Sequence, residues 1–213
     1  MTIELQRDGA VATIRIARPD KLNALSLAMY RDLGKAFVEA AADEAVRAVV
    51  LNSPFLATDP GSRRRAVGAV ASEGIAGRRP YAILPSGISD LYVRSIHRDR
   101  DGEWDFDLAW KPATSTPLRA GWLAAVRKAQ RTLQRGLDLR IPVLVMCSTA
   151  SIRASEWTPQ LQRADAVLNA DRIAGRATAL GRHVTCVRIE GGMHDLVLSR
   201  PDVRAEVFAQ MTR

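Results

Sequence analysis

The C-terminal third sets the tightest limit on what this chain can fold into. Ile141 to Cys147 and Val184 to Ile189 are short strand-like runs, and between them Asp171 to Leu180 carries helical spacing up to Gly181. Apolar runs of this length fit strands covered on both faces, which is the environment of a parallel sheet. The unit reads as βαβ, with Gly181 as the stop of its helix. Arg47 to Leu51 is a further run of the same kind. After the last strand come Glu190-Gly191-Gly192-Met193-His194-Asp195 in a loop, then a final helix opened by Ser199 and Pro201, with Asp202 three residues past the cap.

The beginning has a different texture. Ile3 and Leu5 alternate before Arg7-Asp8-Gly9, and Ala12, Ile14 and Ile16 alternate after it, which predicts a hairpin turning at Asp-Gly. Arg18-Pro19-Asp20 breaks the second strand. Ser26 then caps a helix with Met29, Leu33, Phe37 and Ala40 on one face, ending near Asp43. From Pro54 to Arg140 the pattern loosens into Gly, Pro and Arg, with one clear helix from about Leu118 to Leu133. The expected division is a β-β-α-β segment over 1–51, a helical cap-like middle over 52–135 and a βαβα segment over 136–213.

Composition excludes several classes. With 213 residues, 47 % hydrophobic and 25 % charged, the chain is globular in character and long enough to bury about 70 % of its unfolded surface. Ile141 to Cys147 is the longest unbroken apolar run, far short of the ~20 residues a bilayer span needs. Glu4 and Arg7 interrupt any signal-peptide core, so no stable membrane insertion and a cytoplasmic protein are expected. The net charge of +8 suggests phosphate contacts, but the cations are spread along the chain, only Arg63-Arg64-Arg65 run together, and aromatics make up 5 %. Without clustered cations or stacking platforms, no nucleic-acid partner is expected. Cys147 and Cys186 both sit in strand-like runs and read as buried, inert thiols. The acids from Asp99 to Asp107 fail the calcium-loop pattern, because Gly102 is misplaced and no glutamate closes a twelve-residue ring; a solvated turn is expected, with no metal and no cofactor.

In an open parallel sheet, ligands bind outside the carboxyl ends of the strands. His194 follows one strand after a Gly-Gly turn, and Asp165 follows another, in the connection before the helix. An imidazole held by a buried carboxylate is the general-base half of a nucleophilic triad, since the carboxylate fixes the tautomer and stabilises the imidazolium. By itself His194 fits a polar loop residue as well; its place after consecutive strand ends favours function.

These residues carry a resemblance. Val49-Val50-Leu51-Asn52-Ser53-Pro54-Phe55, Pro142-Val143-Leu144-Val145-Met146, Ala164-Asp165-Ala166-Val167-Leu168 and Ile189-Glu190-Gly191-Gly192-Met193-His194-Asp195 resemble, in order, the C-terminal half of an α/β-hydrolase of the lysophospholipase and serine-aminopeptidase type. The resemblance implies a partial, mainly parallel, three-layer α/β sheet, an esterase-like activity on acyl substrates, a triad acid at Asp165 and a triad histidine at His194. About 17 residues separate Cys147 from Asp165, more than in many relatives, which makes Asp171 the fallback acid. The start resembles another family: Gly9-Ala10-Val11-Ala12-Thr13-Ile14, Arg18-Pro19-Asp20-Lys21-Leu22-Asn23-Ala24-Leu25 and Ala42 to Leu51 are similar to the opening of a crotonase, the enoyl-CoA hydratase/isomerase family. There the turn corresponding to Asn23 and Ala24 lies near the coenzyme A moiety. The chain reads as a hybrid of the two.

The hybrid lacks what each family needs most. Where a crotonase has its first oxyanion donor in a Gly-rich loop, this chain has Ser53-Pro54-Phe55, and Pro54 has no N–H to donate. No Gly-x-Ser-x-Gly elbow exists; Gly87-Ile88-Ser89-Asp90-Leu91 has only the first glycine. Ser53 and Ser62 are the remaining nucleophile candidates, neither on an elbow. Three readings follow: a hydrolase-like protein on a small-molecule ester or acyl substrate that is weak or inactive, an acyl-CoA binding protein, or a non-enzymatic fusion product whose exposed sheet edges drive homo-oligomerisation.

Overall fold

The computed structural model describes residues 2–8, 11–17, 32, 35, 36, 39, 40, 42–58, 73–85, 89–109, 111–113 and 117–212. Asn23 and Ala24, most of the helix expected after Ser26, Ser62, the Arg63 to Arg65 run and Gly87-Ile88 lie outside the described residues.

The hairpin is present: β1 (Thr2–Asp8) pairs antiparallel with β2 (Val11–Ala17), with Leu5 opposite Ile14 and Asp8 opposite Val11. Gly9 and Ala10, and with Gly9 half of the expected Asp-Gly turn, lie outside the described residues. Helical residues at 32, 35, 36, 39, 40 and 42 precede β3 (Val49–Asn52). The hairpin forms its own two-stranded sheet and is joined to the segment before β3 by Arg7, whose guanidinium pairs with Asp43 at 2.5 Å and Glu39 at 3.2 Å.

The main sheet has three parallel strands in the order β3, β4 (Val143–Ser148), β5 (Val184–Ile189). Before β4 lie the short α1 (Leu91–Ile96) and the long α2 (Ala120–Gln134); α3 (Ala170–Ala177) links β4 to β5, and α4 (Pro201–Met211) closes the chain. Alternation along the central strand builds two cores. Val143, Val145 and Cys147 pack with Leu133, Ile173, Ala177 and Leu180 on one face, whereas Met146 packs with Ile189, Leu196, Val203 and Val207 on the other. Helices on both faces of a parallel sheet give the three-layer α/β arrangement that the apolar runs predicted. Among the described residues, no helix is long and apolar enough to cross a membrane.

Two local expectations are corrected and a third is refined. Cys147 is buried, but Cys186 is exposed, because β5 is an edge of the described sheet and only part of that strand is covered. The final helix has Arg200, not Ser199, at its N-cap; the Ser199 hydroxyl accepts instead from the Met193 N–H at 2.9 Å. Gly181 stops the helical run as expected, with extended φ of 178°; a β-carbon there would lie 2.4 Å from the Leu139 carbonyl oxygen, so close backbone approach is what requires glycine.

The acids between Asp99 and Asp107 occupy a turn and its flank, and several are used as ion-pair partners. Asp101 pairs with Arg94, Glu103 with Arg204, and Asp105 with Arg98 at 2.8 Å.

Candidate active site

Asp165 and His194 meet at the carboxyl end of the parallel sheet. After β4 the chain makes a long excursion through a 3-10 turn at Pro159–Gln162 and then returns to the strand end. There the Asp165 N–H donates to the Ala150 carbonyl at 2.9 Å, and the Asp165 carbonyl accepts from Ile152 at 2.9 Å. The 17-residue separation is therefore a loop that closes on itself and returns Asp165 to the end of β4. Asp165 is fully buried. Its Oδ1 accepts from the N–H groups of Val167 at 2.8 Å and Leu168 at 2.7 Å, and its Oδ2 lies 3.0 Å from His194 Nδ1. Two amides and one imidazole satisfy a carboxylate that would otherwise be costly to bury. A carboxylate only accepts, so Nδ1 carries the proton and the Nε2 lone pair faces away from the acid. Asp171, the fallback, is exposed and pairs with Arg188 at 2.7 Å.

The loop presenting His194 is built from short-range necessity and long-range anchors. Gly191 adopts φ 68°, and a β-carbon on Gly192 would lie 2.6 Å from Leu196 Cδ2. Only glycine turns the chain this tightly after β5. Beyond the turn, Ser199 holds the Met193 N–H, Tyr92 holds the Asp195 N–H at 3.3 Å, and Asn52 at the end of β3 holds the Leu196 N–H at 3.2 Å.

Tyr92 and Lys111 border the same loop. The Tyr92 hydroxyl donates to Asp195 Oδ2 at 2.5 Å, its ring meets the imidazole edge-on with centroids 6.0 Å apart, and the Lys111 ammonium lies 5.1 Å above the Tyr92 ring. Burial, followed by the charge and hydrogen bond of Asp195, pushes the Tyr92 phenol far above its ordinary value, so the hydroxyl stays protonated. Neither residue has a sequence signal, since nothing in the spacing links position 92 to position 195.

Nucleophile geometry is missing among the described residues. Among the described residues, no serine hydroxyl is hydrogen-bonded to His194. Ser53 is the most suggestive alternative: it directly follows β3 with φ 40°, it is 4 % exposed, and its Oγ has no hydrogen-bond partner among the described residues. A strained serine at the end of a parallel strand has the placement of an elbow. However, the following residue is Pro54, which has no N–H to offer an oxyanion, and the buried Oγ is closed to substrate.

The comparisons divide along the chain. Residues 6–56 match the family model described as enoyl-CoA hydratase/isomerase. No curated protein matches. The structure resembles that of a monoacylglycerol lipase from Paleococcus ferrophilus, with a TM-score of 0.54 and 17 % identity, over 84 % of this chain and 62 % of the lipase. The chain thus spans less than two thirds of that lipase. An enoyl-CoA hydratase/isomerase-like start runs into a chain that shares its fold with an α/β-hydrolase neighbour, and the hybrid resemblance holds at both ends.

Proposed function

We propose that this chain is an α/β-hydrolase-like protein of the carboxylic ester hydrolase class, related to enzymes of lysophospholipids or monoacylglycerols. It keeps the acid and base of the triad without a serine nucleophile, and so is weak or inactive. The observation that carries the reading is the 3.0 Å contact between His194 Nδ1 and a fully buried Asp165. With Nδ1 bound to the carboxylate, Nε2 is the base. It would take the proton from an attacking hydroxyl, and Asp165 would stabilise the imidazolium that results. Removing the nucleophile from such a set costs about as much as removing the whole set, on the order of 10⁶ in rate. The expected result is slow turnover of short p-nitrophenyl esters that His194→Ala leaves nearly unchanged, with no serine labelled by a fluorophosphonate probe. A rate that falls steeply in His194→Ala, or stoichiometric labelling of a serine, would overturn the missing nucleophile.

A second reading is supported by the family match over residues 6–56. In this reading the crotonase-like start binds coenzyme A or an acyl-CoA through the segment containing Asn23 and Ala24. Isothermal titration with acetoacetyl-CoA measures it directly, and a titration without heat eliminates it.

A further inference from the structure

We propose that Tyr92 is a positioning residue for His194, acting with Lys111 as a clasp on Asp195 that holds the imidazole against Asp165. The proposal deepens the acid–base reading of the Asp165–His194 pair and rests on it.

The geometry argues for more than incidental packing. One phenolic oxygen closes on both the main chain and the side chain of Asp195: it donates to Oδ2 at 2.5 Å and accepts from the N–H at 3.3 Å. That double attachment fixes the backbone of the residue immediately after the histidine. Lys111 lies 3.6 Å from the same carboxylate oxygen and 5.1 Å from the ring centroid, so it balances the Asp195 charge and lies against the ring that carries the hydroxyl. The Tyr92 ring also stands edge-on to the imidazole, at an interplanar angle of 79°. Among the described residues, the His194 side chain has one hydrogen bond, to Asp165, and it is 19 % exposed. A single bond leaves an imidazole free to swing about its outer torsion; a wall on one side and a fixed backbone remove that freedom. The wall comes from α1, whose Tyr92 lies 103 residues before Asp195 in sequence. Two further contacts hold that part of the chain in place: Trp104 Nε1 donates to the Leu198 carbonyl at 2.9 Å, and Gln162 Nε2 donates to the Ser95 carbonyl at 3.0 Å. The middle of the chain therefore supplies part of the site's frame as well as its surroundings.

The test is a long-range ¹H–¹⁵N correlation spectrum of the uniformly labelled full chain, in which the three histidines are resolved and His194 is assigned by its loss in His194→Gln. The unsubstituted protein is expected to show His194 as a single Nδ1–H tautomer. Tyr92→Phe keeps the ring and deletes both hydroxyl hydrogen bonds. It should lower the Nδ1–H population several-fold against the other tautomer, and speed exchange of that proton by about tenfold, the scale of one lost hydrogen bond to a charged group. A merely structural tyrosine would lower the melting temperature and leave the tautomer unchanged in the folded protein. Lys111→Met, at a side chain 44 % exposed, guards against a Tyr92 variant that fails to fold, and should move the tautomer in the same direction by less. A folded Tyr92→Phe, or Lys111→Met where Tyr92→Phe does not fold, with the unsubstituted tautomer overturns the proposal alone. A His194 without the Nδ1–H tautomer in the unsubstituted protein overturns the acid–base reading and the proposal together.

Discussion

Asp165 does two jobs with two oxygens, and the division determines how substitutions there behave. Oδ1 terminates the turn before α3 through the Val167 and Leu168 amides, whereas Oδ2 serves the imidazole. Asp165→Asn can keep the first job, because an amide oxygen still accepts from both N–H groups, but it turns a donor toward the Nδ1 proton. The expected outcome is a folded protein destabilised by about 1–3 kcal/mol, with the Nδ1–H tautomer of His194 lost. Asp165→Ala abandons both jobs, leaves two amides unpaired in a dry site, and should cost more than the asparagine. Urea denaturation ranks the three proteins; equal midpoints for the asparagine and the alanine would show that the turn does not depend on Oδ1. Asp165 and His194 were legible in the sequence because each follows a recognisable strand and because Gly191-Gly192 marks a tight turn. Tyr92, Lys111 and Asn52 were not legible in these roles, since their links to the loop are tertiary and depend on how segments about a hundred residues apart are stacked.

Elements repeat the pattern at larger size. The strands were readable because short apolar runs have few other uses, and β4, covered by helices on both faces, comes close to its expected bounds of Ile141 to Cys147. Reading β5 as equally covered was the error. Its apolar residues look like those of β4, but nothing in a strand's own sequence says whether another strand lies beyond it. The two cysteines measure the difference. Burial pushes the Cys147 thiol up to about 12, and its Sγ faces the Ala170 carbonyl at 3.8 Å, while Cys186 lies exposed on the edge strand. In the native protein a disulfide-exchange reagent such as dithionitrobenzoate should therefore titrate one thiol rapidly and the second only on unfolding. Cys186→Ser should abolish the fast phase. Two fast thiols would mean that the centre of the sheet opens readily. The same gap between local and tertiary information explains Ser199, whose cap-like setting before Pro201 concealed its use as an anchor for the His194 loop.

At the scale of the whole molecule, peripheral segments are attached to their neighbours by surface pairs of arginine and carboxylate. Arg7 joins the hairpin to Asp43; Glu73, at the start of helical residues 73–78, accepts from Arg127 and Arg131 of α2 at 2.7 Å each; and Arg182 before β5 pairs with Asp138 at 2.9 Å. The Ala45 amide and Arg7 hold the Asp43 carboxyl below its ordinary value of 3.8, Arg182 does the same for Asp138, and the two guanidinium groups hold Glu73 below 4.5. For a carboxyl depressed in the folded state, the unfolded chain binds the proton first as pH falls. These attachments therefore contribute fully above about pH 5, and their contribution drains away as the pH falls through the ordinary carboxylate values toward the lower folded ones. The expected melting temperature is insensitive to these groups between pH 7 and 5.5 and declines below about pH 4.5. Because these pairs are exposed, apart from the half-buried Arg127–Glu73 contact, added salt should lower the neutral-pH value and flatten the acid slope. Glu73→Gln removes the carboxyl that serves two arginines and should reduce the acid slope without moving the sheet's own contribution. A melting temperature that rises on acidification, or an unchanged slope in that variant, would mean that the peripheral segments are held by packing alone.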